Sequence, residues 1–431
     1  MKAALALMLW SVSTLVGAVE LVIATVDNGH MITMQKLGHH FEKAHPGIRL
    51  KWVPMPEGRL RQQVTADITT GAGRFDVTTI GLFEAPIWGR QGWLQEIKPE
   101  AIDDIEDLLP GIREGLSIQG RLYAAPFYGE SSMTMVRRDL LPAAGIELPA
   151  AVTWSQIRDA AARLHQPDKG VYGVCLRGKP GWGENMALIT TMVNAMGGQW
   201  FDQAWRPQLT SKPWHEAVKL YVDLMTRYGP PGAAANGYNE NLALFSAGKC
   251  AIWVDATVAG GFVDHPQRSQ VAGRVAFLRA PTAVTHQGAH WLWAWALAVP
   301  TSSRHTPEAL TFVRWATSRA YVQLVARSEG WGAVPSGTRH STYESPQFLQ
   351  ANRHALVEQT AIASANPVDN TLPRSPYVGI QYVAIPEFQA IGTAVGQQIS
   401  KLLTDGGSVD AALARSQALT VRKMKASGHL R

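Results

Sequence analysis

The run Leu21-Val22-Ile23-Ala24-Thr25-Val26-Asp27-Asn28-Gly29-His30 begins the pattern that decides the fold. Its apolar and β-branched half predicts a strand, and its polar half predicts a loop. A helix over 31–45 follows, and the alternation continues with a strand over 48–53, a helix over 60–70 and a strand over 75–80. This order predicts an α/β lobe with a parallel sheet, in which ligands bind beyond the carboxyl ends of the strands.

The middle of the chain, about 153–280, repeats this alternation and predicts a second α/β lobe rather than one large sheet. Thr153 is placed to cap the first helix of this region. The expected elements are helices over 154–164, 186–196 and 214–227, strands over 171–176 and 250–254, and late helices over 307–318, 320–328 and 386–403.

A tryptophan-rich run, His290-Trp291-Leu292-Trp293-Ala294-Trp295-Ala296-Leu297-Ala298-Val299-Pro300, stands out in the second half. If it is a strand, its three indoles share one face. They either fill the core or form an apolar wall with a polar edge, which suits a sugar or polyol because its C–H groups are apolar and its hydroxyls need partners. The run alone leaves both interpretations open.

Composition indicates a globular chain long enough for two domains, with 431 residues, 46% hydrophobic and 17% charged. The net charge of +6 is spread among interspersed acidic residues, so it does not indicate a nucleic-acid partner. The two cysteines, Cys175 and Cys250, lie in apolar runs without a ligand pattern. We expect no metal site and no cofactor, and we favour buried free thiols over a disulfide.

The first 18 residues have the pattern of a secretory signal peptide. One Lys near the start precedes an apolar run, and the small residues Val16-Gly17-Ala18 end it. The segment contains no Cys, so a lipid-anchored form is not favoured. We expect cleavage after Ala18 and a soluble periplasmic protein, monomeric in solution.

Four blocks of sequence resemble the extracellular solute-binding proteins of bacterial ABC importers, in the sugar-binding group related to maltose-binding protein. They span nearly the whole mature chain in the family's order. The blocks are 21–50, which includes Phe41-Glu42-Lys43-Ala44-His45-Pro46-Gly47-Ile48; Phe75-Asp76-Val77 through Gln91-Gly92-Trp93-Leu94; Leu122-Tyr123-Ala124-Ala125-Pro126-Phe127 through Thr153-Trp154; and Trp295-Ala296-Leu297-Ala298-Val299-Pro300 through Phe312-Val313-Arg314-Trp315.

The stretches 25–29, 86–93 and 291–295 look most like the sorbitol/mannitol-binding branch of this family. The resemblance implies a two-lobed periplasmic-binding-protein fold, with a ligand cleft between the lobes, crossing hinge strands and closure around the ligand. The lobes would be 19–128 plus 297–335, and 129–296 plus 336–431. The implied partners are a hexitol and, transiently, the membrane permease; a mono- or disaccharide is the alternative ligand.

A polyol carries only hydroxyls and C–H groups, so its site needs charged hydrogen-bonding groups and apolar walls. Some candidates follow predicted strands, Trp182 lies in a Gly-rich loop, and Arg61, Glu130 and Arg374 match family positions at or near the ligand. Trp295, nearest the hinge, is expected to be structural. The candidate ligand-binding residues are Asn28, His30, Arg61, Glu84, Glu130, Trp182, Asp255, Trp291, Trp293 and Arg374.

Glu84, Glu130 and Asp255 also allow an enzyme hypothesis, because two carboxyl groups suffice for glycoside hydrolysis. The chain contains no Gly-x-Ser-x-Gly elbow and no His-Glu-x-x-His motif. Carboxylates serve hydroxyl recognition equally well, so we predict a binding protein and not an enzyme. A structural lectin module would not need the two-lobe pattern.

Overall fold

The computed structural model describes residues 18–430, so the predicted signal peptide lies outside the described residues except for Ala18. The strands are β1 (Val19–Val26), β2 (Ile48–Met55), β3 (Val77–Ile80), β4 (Ser117–Ile118), β5 (Arg121–Leu122), β6 (Ala125–Glu130), β7 (Ser132–Arg137), β8 (Tyr172–Cys175), β9 (Cys250–Ala256), β10 (Val275–Arg279) and β11 (Trp293–Ala298).

Helices connect these strands and cover the two larger sheets. They are α1 (Gly29–Ala44), α2 (Glu57–Thr70), α3 (Glu84–Arg90), α4 (Pro110–Gly115), α5 (Trp154–Leu164), α6 (Asn185–Ala195), α7 (Lys212–Tyr228), α8 (Tyr238–Ser246), α9 (Ala259–Val263), α10 (Thr306–Ala316), α11 (Arg319–Glu329), α12 (His340–Tyr343), α13 (Pro346–Ala351), α14 (Ala355–Ser364), α15 (Phe388–Thr404) and α16 (Val409–Ala426).

The first lobe is built on a five-stranded sheet with the order β2-β1-β3-β11-β6. Strand β1 pairs in parallel with β2 and β3, as the opening sequence predicts, whereas β11 is antiparallel to β3 and β6. Strand β1 lies between β2 and β3, so the chain moves to one side of β1 and then to the other. The carboxyl end of β1 is therefore a switch point in strand order, where ligands commonly bind. The loop 27–28 begins there.

The second lobe is built on a four-stranded sheet with the order β10-β7-β9-β8. The chain passes from the first sheet to the second between Glu130 and Ser132, and β11 returns it to the first sheet. The predicted lobe boundaries after residues 128 and 296 fall within β6 and β11, and all the lobe boundaries stay predictions. Thr153 caps α5 as expected, because its Oγ1 accepts a hydrogen bond from the Gln156 N–H at 3.3 Å.

The expectation of free thiols is wrong. Cys175 ends β8 and Cys250 begins β9, and the two are joined in a disulfide with their Cα atoms 5.9 Å apart. β8 and β9 are neighbouring strands that pair in parallel, so the disulfide joins adjacent strands of one sheet. The strands are 75 residues apart in sequence, so local pattern could not reveal this pairing.

None of the helices between residues 18 and 430 combines the length and the apolar character needed to cross a membrane.

Candidate ligand-binding site

A cavity of about 180 Å³ lies between the lobes, beside the carboxyl ends of β1 and β8. Its wall is formed by residues of α2, of strand β6, of the loop after β8 and of the tryptophan-rich segment 291–295. Six of the ten residues selected from the sequence lie in this wall: Asn28, Arg61, Glu130, Trp182, Trp291 and Trp293.

Arg61 enters the wall from α2 of the first lobe, where it is 7% exposed. Its Nε and Nη2 donate to Glu57 Oε1 at 3.2 and 3.0 Å, one helical turn away, and its Nη1 donates to Glu84. Burial lowers the pKa of Arg61, but the two carboxylates outweigh burial and raise the pKa above its usual value. The guanidinium is therefore a fixed cation at the cavity.

Three indole rings enclose this guanidinium. The Arg61 Cζ lies 4.0 Å from the ring centroid of Trp182, 5.0 Å from that of Trp293 and 5.1 Å from that of Trp295. Trp295, expected to be structural, thus lies in the cavity wall as well. Trp182 comes from the loop after β8, in the second lobe, so the enclosure of Arg61 requires both lobes to meet.

Arg177 is the corresponding cation of the second lobe, directly after β8. Its Nε and Nη2 donate to Asp255 at distances of 2.6 to 3.1 Å, and its Nη1 donates to the Gly183 carbonyl at 2.9 Å. Asp255 is fully buried and also accepts from Trp253 Nε1 at 3.1 Å. The Arg177 Cζ lies 5.5 Å from the Trp291 ring, which places a second cation beside the tryptophan run.

Tyr128 and Asn28 form a hydrogen-bond chain at the first lobe's edge of the cavity. Asn28 Oδ1 accepts from the Met31 N–H at 3.2 Å and so caps α1, while Asn28 Nδ2 donates to Tyr128 Oη at 2.8 Å. Because the Tyr128 oxygen already accepts, its own proton remains available for donation. Tyr128 therefore offers an O–H donor to whatever occupies the cavity.

Three buried polar atoms of the cavity-lining residues have no hydrogen-bond partner within residues 18–430: Trp182 Nε1, Tyr238 Oη and Glu184 Oε2. Buried polar atoms in proteins almost always have a partner. Burial, together with the negative charge of Glu57, raises the pKa of Glu184 to about 7. This wall suits a ligand that carries several uncharged hydrogen-bonding groups.

Four predicted residues lie outside the wall, where they make other contacts, and ligand contact by them stays a prediction. Glu84 and Asp255 stand behind the wall, where they hold Arg61 and Arg177. His30 is buried on α1 with its ring 4.9 Å from that of Tyr128. Arg374 is exposed, and its carbonyl accepts from Gln203. These residues were selected by strand ends or by resemblance, neither of which specifies the direction of a side chain.

Several residues of the wall were missed by sequence reasoning. Arg177 follows a predicted strand, so the rule that selected Asp255 could have found it. Tyr128 and Gln381 had no such signal, because their positions depend on the crossing strand and on a long loop. The wall also contains Asp27, Glu57, Lys179, Gly183, Glu184, Tyr238, Asn239 and Glu240.

Comparison with known proteins identifies the class. A model of the family described as bacterial extracellular solute-binding protein matches residues 28–323. The chain belongs to this family, which confirms the resemblance seen in the sequence. Members of the family are receptors for solutes.

Two relatives are similar over almost their whole length. A mannitol-binding protein of Pseudomonas aeruginosa is 53% identical over 414 residues, which cover 96% of this chain and 95% of the relative. A crystal structure of an ABC transporter solute-binding protein from Agrobacterium vitis S4, with bound D-mannitol, is 51% identical. It has a TM-score of 0.94 and covers 95% of this chain and 99% of that chain.

A third similar structure supports the fold alone. It is a solute-binding protein from Agrobacterium radiobacter K84 in complex with ribitol, with 23% identity and a TM-score of 0.83. The match covers 94% of this chain and 99% of that chain. The predicted two-lobed fold with a cleft between the lobes is confirmed by these structures.

Proposed function

We propose that this protein is the receptor of an ABC importer, that it binds a hexitol of the mannitol type between its lobes, and that it delivers the hexitol to a membrane permease. One observation carries the proposal: Arg61 and Arg177, each fixed by buried carboxylates, line the same cavity from opposite lobes. The mannitol-binding relative and the mannitol-bound structure, each more than half identical to this chain, support the choice of ligand.

The two arginines supply charged donors for the hydroxyls. Each guanidinium has five N–H groups, and each engages three of them with the protein, which leaves two for a ligand. Hydrogen bonds from a charged donor are stronger than neutral ones. Tyr128 adds a neutral donor, and the indoles of Trp291 and Trp293 cover the C–H groups of the polyol.

A glycoside hydrolase is not favoured by the arrangement of the carboxyl groups. Hydrolysis needs two carboxyl groups that face the scissile bond. Glu84 and Asp255 instead face arginines behind the wall, and only Glu130 of the three candidates lines the cavity. We therefore propose a receptor without catalytic activity, and a mono- or disaccharide remains the alternative ligand.

The proposed location is the periplasm, reached by cleavage of the predicted signal peptide and without a lipid anchor. The protein would act there as a monomer that contacts the permease transiently. N-terminal sequencing of the exported protein checks this: a first residue of Val19 supports it, and a lipid-modified or uncleaved terminus would contradict it.

Isothermal titration calorimetry with D-mannitol, D-sorbitol, ribitol and maltose tests the ligand. We expect one hexitol to bind per chain, with ribitol and maltose weaker, and we expect the hexitol to be recovered unchanged after incubation. Saturation by maltose without hexitol binding would support the disaccharide alternative. The appearance of a product would overturn the receptor proposal.

A further inference from the structure

Glu130 places a buried carboxyl group in the cavity wall, where the strand β6 ends. It is the last residue of β6, at the point where the chain leaves the first sheet for the second. It is paired across the strands with Trp293 of β11. The side chain is 7% exposed and lines the cavity.

The Glu130 carboxyl group has neither a hydrogen-bond partner nor an ion-pair partner among the described residues. Within residues 18–430 no group donates a hydrogen bond to it, and it has no ion pair. The charged groups that act on it are Arg177, which is engaged by Asp255, and the carboxyls of Asp255, Glu57 and Glu358. Burial raises the pKa of Glu130 to about 8, against the opposing effect of Arg177, so at neutral pH the carboxyl carries its proton.

Four other carboxyls around the cavity differ from Glu130 because each lies within 4 Å of a cationic side chain. Glu57 and Glu84 pair with Arg61, and Asp255 pairs with Arg177. Glu184 lies 3.7 Å from Lys179. Glu130 is thus the buried carboxyl of the described wall that has no cation within ion-pair distance, so a cationic group of the ligand would be its first partner.

We propose that Glu130 selects the charge of the polyol's end group, so that the cavity accepts hydroxymethyl and ammonium ends and excludes carboxylate ends. This inference rests on the proposed function and adds a substrate class to it, the amino-polyols. Facing a hydroxyl, the protonated carboxyl donates an O–H hydrogen bond. Facing an ammonium, it releases its proton to solvent and forms an ion pair, to which the indole faces of Trp291 and Trp293 add cation–π attraction.

A polyol with a carboxylate end group would be repelled by this part of the cavity. It would enter a wall in which Glu57 and Asp255 already act as negative charges on Glu130, while the positive charge of each arginine is offset by a paired carboxylate. Like charges brought together at a desolvated site repel each other, so recognition acts by repulsion as well as by attraction.

Three hexitol derivatives that differ only at C1 test the proposal: D-mannitol, 1-amino-1-deoxy-D-mannitol and D-mannonate. Calorimetry at pH 7 should show the amine binding about tenfold more tightly than D-mannitol and D-mannonate about a hundredfold more weakly. In Glu130→Gln the amide still donates but cannot become charged, so the ratio of the amine affinity to the D-mannitol affinity should fall from about ten to about one. Glu147→Gln, at an exposed loop carboxylate, should keep the parent order.

A second measurement needs no variant. Titration in buffers of different ionisation enthalpy should show about one proton released when the amine binds at pH 7, and none when D-mannitol binds. Absence of D-mannitol binding would overturn the proposed function and this inference together. If D-mannitol binds, three results would each overturn this inference alone. They are D-mannonate binding as tightly as D-mannitol, Glu130→Gln keeping the parent order of affinities, and amine binding without proton release.

Discussion

The two arginines of the cavity are held in different ways, and the difference separates a preformed half of the site from a half that closure completes. Asp255 lies on β9 and Arg177 follows the end of the neighbouring strand β8, and a disulfide joins these two strands. Arg61 is fixed within its own lobe by carboxylates, but its closest aromatic ring, Trp182, comes from the other lobe. The second lobe therefore carries a rigid recognition group, and the first lobe carries one whose surroundings depend on closure.

The largest effect should follow from removing the support of the rigid half. Asp255→Ala leaves the Arg177 charge buried without its bidentate partner, and such a loss costs about 3–5 kcal/mol. We expect the free energy of unfolding from urea denaturation to fall by that amount. Asp159→Ala, at an exposed pair on α5, is the matched control and should change little. An Asp255→Ala variant as stable as the parent would contradict the claim that Asp255 holds Arg177 rigidly in the second lobe.

Removing the disulfide should have a smaller effect on stability and little effect on binding. In Cys175→Ala/Cys250→Ala we expect the free energy of unfolding to fall by about 2–4 kcal/mol. The affinity for D-mannitol should stay within about threefold, because Asp255 still fixes Arg177. A tenfold loss of affinity with the fold intact would show that the disulfide, and not the ion pair, positions the arginine.

The closure-dependent half should respond to a single methyl group. A Cβ at Gly183, in the loop of Trp182, would collide with Glu57 Oε1 of the other lobe and lie 3.3 Å from Arg61 Nη2. Gly183→Ala should weaken D-mannitol binding about tenfold, within the range of overpacking costs, and leave the melting temperature without ligand nearly unchanged. Gly58→Ala, on α2 with open space around it, should bind like the parent. Equal affinity in both variants would mean that the two lobes do not need this close approach.

The parts of the site that sequence could predict are those fixed by local pattern. The alternation of strands and helices predicted the parallel pairing around β1, and the Gly-rich loop singled out Trp182. Asp255 was selected at the end of the right strand, but its role was not predicted. A residue at the end of a strand can contact the ligand, or it can hold a neighbouring residue that contacts the ligand. That choice depends on which strands are adjacent, which also decides the Cys175–Cys250 disulfide.

The remaining part of the site depends on contacts between the lobes. Arg61 was a candidate by resemblance, yet its enclosure by three indoles joins segments more than a hundred residues apart. Trp295 was expected to be structural because it is the indole nearest the hinge. The β11 register shifts between Trp295 and Ala296, and the Trp295 indole lines the cavity. The shift comes after Trp295, so its indole keeps the face that it shares with Trp293, as strand alternation predicts.

A crystal structure of the protein with D-mannitol would show whether both arginines hold the ligand. We expect one D-mannitol between the lobes, with its hydroxyls within hydrogen-bond distance of both Arg61 and Arg177 and its C–H groups against Trp291 or Trp293. A ligand bound outside this cavity, or one held by only one of the two arginines, would contradict it.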